Sequence, residues 1–184
     1  KALDARYIFT FDQDSRFNAD LLRGLLAQYK IQRQAFNGPL ALGPFPFNKL
    51  TGASYLRRSD RVRLWLKKWL GLKNESSLLP VRELITSGLL ADDVTYSLVG
   101  NYNDALFIDF VDHEWTWRCS RQGGRCFVAM YVKMAHMIGS GDIPYTGGMR
   151  LGSPSRIFYL FRNGIFLALS GKMPIYDAIK FIAL

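Results

Sequence analysis

Cysteine and histidine are scarce, with two of each in 184 residues. No CxxC or HxxxH spacing occurs, so a zinc site is not expected, and two cysteines cannot form the multi-disulfide framework of a small secreted scaffold. No apolar run reaches the roughly 18–20 residues that span a bilayer as a helix. No signal peptide is visible, and the start at Lys1 reads as a processed product or an excised domain. Phosphate-loop, dinucleotide, GxSxG and HExxH patterns are all missing, and no cofactor is expected. Acid is short as well: 15 Asp and Glu face 24 Lys and Arg, a net charge of +9.

What is present is apolar bulk. Hydrophobic residues make up 49 % and aromatics 14 %, which excludes a disordered chain and provides for one sizeable core. The positive charge is concentrated. Between Lys49 and Lys73 eight basic residues face one acid, Asp60, so this stretch carries most of the excess. An N-glycosylation sequon, Asn74-Glu75-Ser76, is short enough to arise by chance.

The pattern predicts α+β: N-terminal helices, then an antiparallel β-meander of about five to six strands, then a closing C-terminal helix. One domain is expected over 1–184, helical over about 14–90, sheet over about 93–170, with the last helix over about 174–183. Arg6–Phe11 reads as an opening strand. Asn18 caps a helix carrying Leu21, Leu22, Leu25, Leu26 and Tyr29. The proline-rich segment 37–52 reads as a loop. Ser59–Leu70 reads as a helix with Val62, Trp65, Leu66, Trp69 and Leu70 on one side, expected to pack on the sheet. A short helix fits Pro80–Ser87. Val94–Val99 and Ala105–Arg118 read as strands, and Asn163-Gly164 marks a type I′ hairpin turn between Arg156–Arg162 and Ile165–Leu169.

A hairpin centred on Gln122–Gly123 would set Cys119 opposite Cys126, a disulfide candidate that would favour a secreted or periplasmic location. The same register pairs Asp109 with His136, an arrangement that can orient an imidazole as general base. His113, Asp112 and Glu114 are further acid–base candidates, and Arg118 and Arg150 could stabilise developing negative charge. The glycine-rich segment Gly139–Ser155 adds Asp142 and Tyr145 as binding candidates. Arg57, Arg61 and Lys68 would meet phosphates or an anionic surface.

These features lead to an expected hydrolase, a toxin- or effector-like domain acting on an anionic polymer of an envelope or nucleic acid. The alternative is a non-catalytic module that binds a polyanion or a protein partner through the basic helix 57–73.

Overall fold

A computed structural model describes residues 5–13, 15–49, 51–70, 77–136, 144–145, 149–150 and 153–183, and for Lys67, Lys68, His136, Pro144, Tyr145, Met149 and Arg150 the backbone alone. The sequon, Asp142 and most of Gly139–Ser155 lie outside the described residues.

The main sheet has five strands: β1 (Tyr7–Thr10), β2 (Leu40–Asn48), β3 (Leu78–Val81), β4 (Leu89–Asp92) and β5 (Arg125–His136). Their spatial order is β1-β4-β2-β5-β3. β1 and β2 run antiparallel to β4, β3 runs antiparallel to β5, and β2 and β5 are parallel. The sheet is therefore mixed, not an antiparallel meander, and most of it precedes residue 93. Among the described residues a second, two-stranded sheet pairs β6 (Pro144–Tyr145) with β7 (Met149–Arg150). The helices are α1 (Ala19–Ala35), α2 (Arg58–Trp69), α3 (Asp93–Val99), α4 (Val111–Arg121), α5 (Pro154–Leu169) and α6 (Ile175–Ile182).

α1 forms as its sequence dictates. Asn18 accepts the Leu21 N–H, and Leu21, Leu25 and Tyr29 recur on the buried side. They meet Leu40, Leu42, Leu90 and Met134 on one face of the sheet. Trp115 and Cys119 of α4 cover the other face with Val99, Leu89 and Val128. A third cluster joins Trp117 of α4 to Leu167 of α5 and Ala178 of α6.

Several expectations are overturned, each for a local reason. The segment containing Pro44 and Pro46 is a strand. β4 pairs with β2 only at Ala41 and Leu42, the β2–β5 register shifts between Pro44 and Phe45, and the Pro46 carbonyl accepts from Tyr55. Prolines are tolerated where no ladder N–H is required. Part of the helix expected over Pro80–Ser87 is instead β3, through Val81. Val94–Val99 belongs to a helix because Asp92 accepts both the N–H and the hydroxyl of Thr95. Val111–Arg121 is also helical: Glu114 and Arg118 form an i, i+4 ion pair at 2.9 Å, and Trp115 and Cys119 share a face at the same spacing.

The expected hairpin around Gln122 is consequently a helix followed by a strand. Asp109 is not opposite His136; the Cα partner of His136 is Asn48. Cys119 and Cys126 are buried and free, so the reason for favouring a secreted location falls away. Arg156–Leu169 is one helix in which Asn163 and Gly164 both face inward. α2 forms close to the expected bounds, yet Val62, Trp65, Leu66, Trp69 and Leu70 are exposed instead of packed on the sheet.

Candidate active site

Three non-glycine residues with positive φ lie together just before α4: Phe107 (61°), Asp109 (61°) and Phe110 (64°). Such backbone costs of order 1–3 kcal/mol per residue and persists only where neighbours over-determine it. The neighbours here come from α5. Asn163, 1 % exposed, donates its amide to the carbonyls of Leu106, Ile108 and Asp109 at 2.8, 2.8 and 3.0 Å. Arg162 holds the Asn163 oxygen at 2.7 Å and also donates to the carbonyls of Ala105 and Leu106. Arg156 pairs with the Asp109 carboxylate at 3.0 Å.

This clamped turn delivers Asp112 and His113 on the first turn of α4. Asp112 Oδ2 accepts the Thr86 N–H at 3.2 Å, and its Oδ1 accepts the His113 N–H at 2.8 Å. The next residue, Ser87, donates its hydroxyl to Asp12, which follows β1. Thr10, at the end of β1, donates to the Thr86 carbonyl. Asp12 and Asp112 are thereby drawn to the edge where β1 ends and β4 begins. Ligands of open mixed and parallel sheets commonly bind at the carboxyl ends of strands.

His113 lies between two carboxylates: Nδ1 is 2.9 Å from Asp112 Oδ1 and Nε2 is 3.5 Å from Glu83 Oε2. Burial disfavours its charge, but Asp112 and then Glu83 outweigh burial and push its pKa up to about 9. Burial likewise works against the Asp112 carboxylate, and the neighbouring imidazolium more than compensates, holding its pKa below the usual carboxylate value. The pair is an imidazolium beside a carboxylate at neutral pH. Glu83 also accepts from the Trp117 indole at 2.8 Å and from Arg57, whose other nitrogen holds Asp177 of α6. Two adjoining cavities of about 90 and 170 Å³ share Arg57, Glu83 and His113 in their walls.

The residues singled out from sequence thus separate. Asp109, Asp112, His113 and Arg57 belong to this connected region. Glu114 is buried and paired with Arg118, which also donates to the carbonyls of Val99 and Asn101, so these two lock α4 to the turn after α3. Arg61 is exposed on α2. His136 ends β5 beyond the level at which β4 pairs with β2, and its side chain lies outside the described residues, as do those of Lys68, Tyr145 and Arg150. Sequence reading missed Asp12, Glu83, Arg156 and Asn163. Only Asp12 carried a usable signal, a carboxylate just after a recognised strand. Among the described residues no group of three or more His, Cys, Asp or Glu side chains could hold a metal ion.

No family model matches the chain. Over 177 residues it is 25 % identical to dTDP-rhamnosyl transferase RfbF of Shigella flexneri, an alignment covering 96 % of this chain and 58 % of that protein. The chain therefore spans less than two thirds of the length of the relative it matches. This similarity to a transferase overturns the expectation of a toxin- or effector-like hydrolase, and equally the non-catalytic alternative. Among the described residues no helix is long and apolar enough to cross a membrane.

Proposed function

We propose that this chain is part of a glycosyltransferase that moves a sugar, rhamnosyl in the relative's case, from a nucleoside diphosphate donor to a hydroxyl group. The reading is carried by the ionised Asp112, fixed at the sheet edge near Asp12, in a chain that aligns with a sugar-nucleotide transferase over nearly its whole length.

In such a transfer the bond from the anomeric carbon to the acceptor oxygen forms while the bond to the diphosphate breaks. The diphosphate leaves with the electron pair, and the acceptor hydroxyl loses its proton. His113 is protonated already and cannot take that proton. Glu83 is committed to Arg57 and the Trp117 indole. Among the described residues Asp112 accepts from no arginine, and the Thr86 N–H holds it beside His113, so we assign it the general-base role. His113 is then a positioning residue that keeps Asp112 ionised and oriented.

The test is donor turnover by the full-length protein supplied with dTDP-rhamnose and a hydroxyl acceptor. Asp112→Asn should lower kcat by about 10²–10⁴-fold with little change in donor KM. Full activity in that variant, or failure of the wild-type protein to consume any sugar nucleotide, would overturn the proposal.

A further inference from the structure

α2 meets the rest of the molecule along one narrow side. Asp60 is buried and Leu64 packs against the core, whereas Val62, Trp65, Leu66, Trp69 and Leu70 on the opposite side are open to solvent. Trp65 and Trp69 are 61 % and 71 % exposed and stack at 6.3 Å between ring centroids. Exposed tryptophans one turn apart are a poor choice for a helix that meets only water.

The charge around this stripe is of one sign. Asp60, the acid of the helix, is turned inward, while Arg58 and Arg61 are exposed on the outer part. Arg63, on the other flank, is also exposed and reaches the Pro80 carbonyl. An apolar stripe bordered by cations on both flanks is the arrangement of a helix lying in the headgroup layer of a bilayer, with arginine heads reaching phosphates and indoles at the interface. α6, linked to the start of α2 through Arg57, also exposes apolar residues. Ile175, Tyr176, Ile179 and Ile182 face outward, and Asp177 on its inner side is tied to Arg57, the residue preceding α2.

We propose that α2 docks the protein on an anionic phospholipid surface, lying in the plane of the interface. Complementarity of charge selects this occupant. A second copy of the chain would bring the same arginines against one another, and the stacked tryptophans lie among the apolar residues, not on the flanking basic ones. Docking is independent of the transfer reaction and is read without it.

The experiment is co-sedimentation with vesicles of phosphatidylcholine alone and of phosphatidylcholine mixed with phosphatidylglycerol, over a range of salt. The wild-type protein should sediment with the anionic vesicles, and progressively less as salt rises. The double substitution Trp65→Glu, Trp69→Glu should weaken binding by about tenfold or more, while circular dichroism and Tm stay unchanged. Arg58→Gln with Arg61→Gln should remove most of the preference for anionic lipid. Absence of sedimentation with either vesicle overturns the proposal, as does binding that ignores the tryptophans. Concentration-dependent self-association lost in the tryptophan variant, without vesicle binding, would assign the face to a second copy. Binding of duplex DNA in place of vesicles would assign it to nucleic acid.

Discussion

Asp12 and Asp112 are fastened to consecutive residues of one turn, the first by the Ser87 hydroxyl and the second by the Thr86 N–H. Two acids from distant parts of the chain thus share one short support, which fixes where charge can be placed at the sheet edge.

The imidazolium beside Asp112 makes stability depend on pH. The folded-state pKa of His113, about 9, lies above its ordinary 6.5, so its contribution is complete below pH 6.5 and is lost as pH rises through about 9. Urea unfolding across that window should show the decline. Asp112→Asn should flatten it, and NMR titration of the ring in that variant should show its pKa falling back toward the ordinary value.

Asn163→Ala leaves the carbonyls of Leu106, Ile108 and Asp109 without their shared donor. The expected loss is about 1–3 kcal/mol of stability, measured by thermal or urea unfolding. Donor turnover should fall further than the population of folded protein, because the turn carrying Asp112 loosens.

Gly164 faces Phe181 of α6 so closely that an added Cβ would stand 2.1 Å from the ring. Gly164→Ala should destabilise by about 1–3 kcal/mol through overpacking. Combining it with Phe181→Leu should recover part of that loss, a coupling visible in a double-mutant cycle.

The thiols of Cys119 and Cys126 should both titrate with an aromatic disulfide reagent after denaturation and react slowly beforehand. Burial keeps reagent from both thiols. Contact with Cys119, and then burial, also pushes the Cys126 thiol well above its ordinary pKa, whereas contact with Cys126 lowers that of Cys119, so Cys119 is shielded by burial alone. Finding one titratable thiol or none in the unfolded, unreduced protein would establish a disulfide instead.

These relationships explain which parts of the molecule were legible beforehand. α1 was readable because Asn18 and the Leu21–Leu25–Tyr29 spacing act within one helix, and α6 because Pro174 precedes a periodic apolar run. The pair Asn163-Gly164 misled because its turn chemistry is real in isolation. In the folded chain one residue binds a distant loop and the other makes room for a distant ring. Trp115, Trp117 and Cys119 alternate in sequence as a strand face does, while the decisive Glu114–Arg118 spacing is helical. Glu83 and Arg156 had no local signature, since each acts through a partner far along the chain.

The clamp on residues 107–110 also sets an order of events. Its donors, Arg156, Arg162 and Asn163, are all on α5, whereas the turn they hold precedes α4. During synthesis the chain emerges N-terminus first, so the sheet strands and α4 are exposed before the helix that stabilises the unfavourable backbone conformation. The clamped turn is therefore completed late, and a nascent chain ending before α5 would contain residues 107–110 without the donors that hold them.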